Sequence, residues 1–259
     1  MLALTVGCRP VLRSPAKAPD EDPSAQWGEL LGRAVTSDGY VDYDVLEAER
    51  ETLDTYVAWI GRWRALPEGR WERLAFWLNA YNALTMFAVL EDGRPASVME
   101  VDGWLPVDGA GFFFERAFSV PQGWVSLYEL EHEKLRGRYL DYRIHAAINC
   151  ASRSCPPLRQ ELYTVPGLDR QLERQMRVWI EDPDRGLYIE DDGTVVFSAL
   201  FDWYDFDFVE WTGGKDRCRV AADHARGKQR KALVAASEAG CPHRFMDYDW
   251  ALNDAASRR

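Results

Sequence analysis

The stretch Trp71-Glu-Arg-Leu-Ala-Phe-Trp-Leu-Asn-Ala-Tyr-Asn-Ala-Leu-Thr-Met-Phe-Ala-Val-Leu90 decides the fold of this chain. It contains neither proline nor glycine, and its apolar residues fall on nearly every face of a helix. A helix that is apolar on all sides must be surrounded by other elements of the fold. Gly93 and Pro95 follow it and are typical of a helix end. We therefore predict a long buried central helix over about residues 71–91.

On both sides of this helix the sequence alternates between helical and extended patterns. Apolar residues at helical spacing and capping signals predict shorter helices at residues 27–35, 46–63, 126–136, 168–180 and 215–239. Alternating and β-branched runs predict strands at residues 101–120, 143–149, 187–189, 195–197 and 244–248. The prediction is an α+β fold, in which mixed helices pack on a small, mostly antiparallel sheet.

The N-terminus resembles an export signal. A short apolar run ending in Gly7-Cys8 resembles the tail of a bacterial lipoprotein signal, in which the cysteine is lipidated, although the run is short and lacks a basic segment. We predict a truncated signal and flexible tether at residues 1–26, a single domain at 27–254 and a tail at 255–259. The protein is then extracytoplasmic, in the envelope or periplasm and anchored through Cys8. If the N-terminus is not a signal, it is cytoplasmic.

The charge of the chain restricts its partners. Its 259 residues carry a formal net charge of −11, which repels nucleic acid and anionic membrane surfaces. No apolar run is long enough to cross a bilayer. We therefore expect a small-molecule, peptide or protein partner, no nucleic acid, and membrane contact only through the anchor.

Two asparagines and a threonine interrupt the apolar helix. Asn79, Asn82 and Thr85 are three residues apart and share one helix face. A buried amide needs hydrogen-bond partners, so these side chains predict a specific polar network. It either ties neighbouring loops to the helix, which we favour, or forms the polar wall of a pocket.

A second polar cluster lies at His145-Ala-Ala-Ile-Asn-Cys-Ala-Ser-Arg-Ser-Cys-Pro156. On the predicted strand, His145 and Asn149 point to one face, and a turn begins near Cys150. Four interpretations remain open. Cys150 and Cys155 form a local disulfide; Cys150 is a thiolate nucleophile with His145 as its base; the three side chains bind a metal; or the segment is ordinary packing. The disulfide ranks first, and Arg153 could lower a thiol pKa or hold an anion.

A third pattern alternates acids with aromatic residues, from Asp202 to Phe208. Trp203 and Tyr204 within it could bind a cation or a sugar ring. A helix end packed over the core is the interpretation we favour for the whole segment.

These segments together resemble the family called domain of unknown function 547, over about residues 27–254. The resemblance rests on six stretches, which are 39–43, 74–84, 126–132, 144–158, 198–204 and 247–253. Its motif residues correspond here to Asn79, Asn82, His145, Cys150, Cys155 and Pro156. The sequence departs from the family at 205–208, where the pattern usually has an acid, Phe and Gly. The resemblance implies bacterial exported relatives but no activity.

Two functions follow as predictions. The first is an exported binding module for a peptide, glycan or envelope partner, with the turn held by Cys150 and Cys155 and with Asn79, Arg153, Trp203 and Tyr204 as binding residues. The alternative is a thiol-dependent hydrolase or acyltransferase, in which Cys150 attacks and His145 takes the proton. Asn149 or Asn82 would then orient the base or stabilise an oxyanion. No cofactor and no metal are predicted for either, and whether the protein is an enzyme is left open.

Overall fold

The computed structural model describes residues 10–62, 66–121 and 123–258. The α-helices of this part are α1 (Ser24–Ala34), α2 (Tyr43–Ala48), α3 (Arg50–Arg62), α4 (Arg70–Glu91), α5 (Leu127–Glu129), α6 (Gly137–Tyr139), α7 (Ile144–Ala147), α8 (Leu168–Glu181), α9 (Leu200–Trp203), α10 (Asp205–Val209), α11 (Arg217–His224) and α12 (Gly227–Glu238). The strands are β1 (Val11–Leu12), β2 (Ala117–Val120), β3 (Gly123–Val125), β4 (Leu187–Ile189), β5 (Val195–Phe197) and β6 (His243–Phe245). Two π-helical segments are Gly111–Glu115 and Leu130–Arg136, and 3-10 turns are Val98–Glu100, Val165–Gly167, Glu210–Thr212 and Ala255–Arg258.

The predicted central helix is confirmed as α4. Fourteen of its 22 residues are buried, so other elements cover it on most sides. The Glu72 carboxylate accepts a hydrogen bond from the Gly69 N–H and closes its first turn. Gly93 follows its end with a φ of 67°, the left-handed backbone conformation that glycine adopts without steric cost.

The predicted α+β class is confirmed, with the strands divided between two small sheets. In one sheet β2 pairs in parallel with β1 and antiparallel with β3. In the other, β5 pairs antiparallel with β4, through the predicted hairpin, and in parallel with β6. Each three-stranded sheet is therefore mixed.

Two clusters of buried apolar residues form the interior. The first surrounds α4 and takes in α1 and α3, and the second lies between α8, the second sheet and α11. The short helix α7 lies between them, because Ile144 and Ala147 belong to the first cluster and Ala146 to the second. The candidate site is built around this helix.

The prediction of a strand at 143–149 is wrong. Residues Ile144–Ala147 form one helical turn, in which the Ile148 N–H donates to the Ile144 carbonyl at 3.2 Å. Alanine favours a helix, and the chain becomes extended only at Ile148. The alternation of side chains between two faces therefore does not apply to His145.

The prediction of strands throughout 101–120 is wrong before Ala117. The phenylalanines at 112–114 lie in the π-helical segment Gly111–Glu115, and only Ala117–Val120 is extended. The Glu115 carboxylate accepts hydrogen bonds from the backbone N–H groups of Trp104 and Leu105. The backbone of this loop is therefore paired with a side chain and not with a neighbouring strand. Alternation along the sequence does not reveal such a contact.

The N-terminal segment is described from Pro10 onward, so the predicted lipidation site Cys8 lies outside the described residues. Within the predicted tether, Val11 and Leu12 pair with Ala117 and Phe118 of β2. Among the described helices, none combines the length and the apolar character needed to cross a membrane.

Candidate functional site

The asparagines of α4 fasten two loops to the helix. The Asn82 side chain donates to the Ala147 carbonyl at 3.0 Å and accepts from the Asn149 N–H at 3.0 Å. Asn79 pairs in the same way with the N–H and the carbonyl of Tyr163, both at 2.9 Å. Each amide thus pairs with one backbone carbonyl and one backbone N–H of a loop. This tie between loop and helix is the structural interpretation favoured above.

Asn149 begins the turn that holds both cysteines. Its amide nitrogen donates to the Pro156 carbonyl at 2.8 Å, and its amide oxygen accepts from the Ala151 N–H at 2.8 Å and from the Asn253 side chain at 3.0 Å. Asn149 is buried, and these contacts close the turn and tie it to the C-terminal segment.

Cys150 and Cys155 form a disulfide across this turn, with their Cα atoms 6.3 Å apart. The first of the four interpretations of the cysteine pair is thereby the one that the structure shows. A second disulfide, Cys218–Cys241, joins the start of α11 to the segment after α12. The sequence offered no signal for this pairing, because the two residues are 23 apart and neither lies in a motif.

His145 faces a buried ion pair. Its Nε2 lies 2.7 Å from Oδ2 of Asp207, and the guanidinium of Arg136 donates to both oxygens of the same carboxylate, at 2.6 and 2.9 Å. The Tyr204 ring stacks on the imidazole with centroids 4.0 Å apart. His145 and Asp207 are 3% and 1% exposed.

No hydrogen bond joins His145 to either cysteine in the part of the chain that the structure describes, and His145 does not form a metal-type cluster with the two sulfurs. The only such cluster found among the described residues contains Asp216 and the disulfide-bonded Cys218 and Cys241. A thiol centre of Cys150 and His145 would require reduction of the disulfide, and Nδ1 of His145, the ring nitrogen not bound to Asp207, would have to reach the thiol.

The ion pair determines the protonation of Asp207. Burial alone raises the pKa of a carboxyl, but the hydrogen bonds from His145 and Arg136 outweigh burial and hold the Asp207 pKa below its ordinary value. The carboxylate therefore stays charged, and it keeps α10 attached to Arg136 at the end of its π-helical segment.

A second buried carboxylate, Glu131, lies among tyrosines. Its charge acts on the phenols of Tyr81 and Tyr204. Burial, together with the negative charge of Glu131, raises the pKa of both tyrosines well above the usual value. Both hydroxyls therefore keep their protons at neutral pH.

Three aromatic residues form a surface above the disulfide, and we call Trp203, Tyr248 and Trp250 the aromatic surface. The Trp203 and Trp250 rings stack with centroids 5.6 Å apart, and Tyr248 lies 4.7 and 4.5 Å from them. Trp203 is 48% exposed. The Tyr248 hydroxyl lies 3.4 and 3.2 Å from the sulfurs of Cys150 and Cys155, so the surface and the disulfide are in direct contact.

The predicted site residues therefore separate into groups. Tyr248 contacts three of them, namely Cys150, Cys155 and Trp203. His145 and Tyr204 belong instead to the buried network around Asp207. Arg153 lies at the edge, where it donates to the carbonyl and hydroxyl of Ser257. Asn79 and Asn82 bind backbone.

Several residues of the site were not predicted, namely Tyr81, Glu131, Arg136, Asp207 and Tyr248. Asp207 was visible only as one acid of an alternating run, and nothing local distinguishes it from the exposed Asp202. Its partner Arg136 is 71 positions away. A charge that becomes buried by pairing across such a distance leaves no local signal.

The fold and the site define an α+β domain with a buried helix, a disulfide-closed turn and an adjoining aromatic surface. Residues 67–180 match the model of the family described as "Protein of unknown function, DUF547". The resemblance inferred from the sequence is thereby confirmed. No curated protein and no solved structure matches the chain.

Proposed function

We propose that the protein is an extracytoplasmic binding module whose aromatic surface holds a segment of a partner polypeptide. The observation that carries the proposal is the exposed ring of Trp203, which stacks on the partly buried Trp250 beside Tyr248. Large apolar rings left open to water are enriched at interaction sites, where they supply much of the binding energy.

The charges around the aromatic surface favour a basic partner. The exposed carboxylates Asp202, Asp247 and Asp249 are each next to one of its residues in the chain. Lysine and arginine side chains bind both to carboxylates and to the faces of indole rings. We therefore infer a polypeptide segment that carries basic side chains, in agreement with the net charge of −11.

The buried network fits a supporting role in this function. Tyr204 and Asp207 are held by His145 and Arg136, and Trp203 is the neighbour of Tyr204. A surface whose backbone is fixed in advance loses less conformational entropy on binding.

Two disulfides support an oxidising compartment, because such bonds are rare in the reducing cytosol. They use four of the five cysteines, and the fifth is Cys8. We propose that Cys8 is the lipid attachment site and that the domain works at the cell envelope.

The test is calorimetric titration of the full chain with three probes: a peptide of alternating lysine and leucine, the same peptide with glutamate in place of lysine, and an oligosaccharide of N-acetylglucosamine. We expect the basic peptide alone to bind, and Trp203→Ala to weaken it roughly 30-fold, as truncation of a central aromatic contact does. Trp71→Ala is the matched control. Trp71 is 51% exposed, and its ring makes a cation–π contact with Arg70. Binding of the oligosaccharide alone, or equal loss in both variants, would refute the peptide proposal.

A further inference from the structure

The sulfur of Cys155 is surrounded by hydrogen-bond donors. It accepts from the Cys150 N–H at 3.0 Å, and the hydroxyls of Ser152 and Tyr248 lie 3.3 and 3.2 Å away. The two hydroxyls are also 2.9 Å from each other, so one hydroxyl hydrogen can join them in the disulfide state. If a negative charge appears on the sulfur, both hydrogens can turn towards it.

Tyr248 remains a donor at neutral pH. Burial raises the pKa of its phenol far above the usual value, so that the hydroxyl keeps its proton. A thiolate at Cys155 would therefore meet one N–H and two O–H groups in a partly buried setting. Donors that bind the charged form lower the pKa of a thiol and make it a better leaving group.

The second disulfide has a different environment. Cys218 and Cys241 are both buried, and the hydrogen bond described at its sulfurs comes from the Cys218 N–H to Cys241, at 3.2 Å. Cys150, by contrast, is partly exposed and lies beneath the aromatic surface. One pair thus contains a partly exposed cysteine and has donors placed for a thiolate, whereas both cysteines of the other pair are buried.

We propose that Cys150–Cys155 is a redox-active disulfide that accepts two electrons from a dithiol of the polypeptide held on the aromatic surface. The identity of the electron donor rests on the proposed function; the reactivity of the disulfide does not. A domain of this kind would oxidise cysteine pairs in its partner, one pair for each oxidised chain.

The step proceeds by thiol–disulfide exchange. A partner thiolate attacks Sγ of Cys150, the S–S bond breaks, and Cys155 leaves as the thiolate that Ser152, Tyr248 and the Cys150 N–H stabilise. The second partner thiolate attacks the partner's own sulfur in this mixed disulfide and releases Cys150. The partner dithiol is oxidised to a disulfide, the protein pair is reduced, and the two protons of the partner thiols pass to the protein thiols or to water.

The first experiment equilibrates the full oxidised chain with dithiothreitol redox buffers and reads each pair by differential alkylation and mass spectrometry. We expect Cys150–Cys155 to be reduced under conditions that leave Cys218–Cys241 oxidised and the protein folded. Tyr248→Phe and Ser152→Ala should each lower the equilibrium constant for reduction of this pair about tenfold, which corresponds to about 30 mV. Ser154→Ala is the matched control, because the Ser154 hydroxyl belongs to the same turn and accepts from the Asp249 N–H.

Simultaneous reduction of both pairs only on unfolding would overturn the proposal. Unchanged equilibrium constants in both Tyr248→Phe and Ser152→Ala would do so as well.

The second experiment separates this proposal from the binding function. A synthetic peptide with two cysteines flanked by lysines replaces dithiothreitol as the reductant, and its oxidation is followed by loss of free thiol. Trp203→Ala should slow oxidation of the peptide roughly tenfold more than it slows the reaction with dithiothreitol, which is too small to need the aromatic surface. If Trp203→Ala changes neither rate, the disulfide is reactive but the aromatic surface does not recruit its partner, and the proposed function fails alone.

Discussion

At the scale of the residue, the buried polar side chains of α4 differ in whether they have hydrogen-bond partners. Asn82 satisfies two backbone groups of the segment that leads into the cysteine turn. One helical turn later, the buried Thr85 hydroxyl has no hydrogen-bond partner among the described residues. A buried polar atom contributes to stability only when it is paired.

Two substitutions on this helix should therefore act in opposite directions. Asn82→Ala leaves the Ala147 carbonyl and the Asn149 N–H without their partner and should lower the free energy of unfolding by about 2–4 kcal/mol. Thr85→Val keeps the shape, removes an unpaired hydroxyl, and should raise it by up to about 1 kcal/mol. Urea denaturation of both variants gives the comparison. A destabilised Thr85→Val would mean that its hydroxyl is paired.

Asp207 links stability to pH. Its pKa in the folded chain is below the unfolded value, so its contribution is fully present above the unfolded pKa, near about 4, and is lost as the pH falls through the folded-state pKa. Asp207→Asn leaves Arg136 without its carboxylate and should cost about 3 kcal/mol at pH 7. We expect the difference in the free energy of unfolding between wild type and variant to become smaller below about pH 4.

Urea denaturation at a series of pH values measures this difference. Asp169→Asn is the control, because Asp169 forms an exposed ion pair with Arg143 that is worth at most about 1 kcal/mol. A difference for Asp207→Asn that stays constant down to about pH 2 would show that the carboxylate is not linked in this way.

At the scale of the element, the cysteine turn is held by its neighbours. The Pro156 carbonyl accepts a hydrogen bond from the Asn149 side chain. Two residues later, the Leu158 N–H donates to the Gly39 carbonyl at 3.2 Å. Gly39 ends the turn before α2 with a φ of 81°. A Cβ atom at this position would overlap Pro157, so the two turns pack backbone to backbone.

Gly39→Ala should therefore be costly for two reasons. The left-handed backbone costs a non-glycine residue about 1 kcal/mol, and the overlap with Pro157 adds to it, for a total loss of about 2–4 kcal/mol. Gly93→Ala isolates the first term, since its φ is 67° and no atom lies within 4 Å of an added Cβ. Thermal unfolding of the two variants measures the difference. Equal losses would mean that Pro157 moves aside freely.

At the scale of the whole molecule, the two disulfides close loops of different length. Cys218–Cys241 spans 23 positions within the second apolar cluster, and Cys150–Cys155 spans 5. Closing a longer loop removes more conformational entropy from the unfolded chain. The longer link should therefore contribute more to stability.

Paired replacement of the cysteines by alanine tests this order. Loop entropy gives a loss of about 3 kcal/mol for the Cys218 and Cys241 pair and about 2 kcal/mol for the Cys150 and Cys155 pair. Chemical denaturation of the two double variants, each with the other disulfide intact, checks the result. The reverse order would indicate that contacts at the cysteine turn, rather than loop closure, determine the contribution.

Local patterns determined a large part of the architecture. The apolar run of α4, the Ser126 capping box and the hairpin between β4 and β5 were predicted from periodicity and turn residues. They could be predicted because their stabilising contacts are local, or because burial on every side is visible as composition. The helical turn of α7 was missed, since a few apolar residues fit a strand as well as a helix.

The sequence by itself determined the α+β class, the buried helix, the cysteine turn and the resemblance to a family whose model matches residues 67–180. Tertiary structure alone decided that His145 pairs with Asp207, that Tyr248 lies over the sulfurs, and that Cys218 joins Cys241. These contacts link residues 62, 93 and 23 positions apart. Side chains so distant in the chain meet only because packing of the two apolar clusters brings them together. A local sequence pattern contains no information about which distant residue will become the partner.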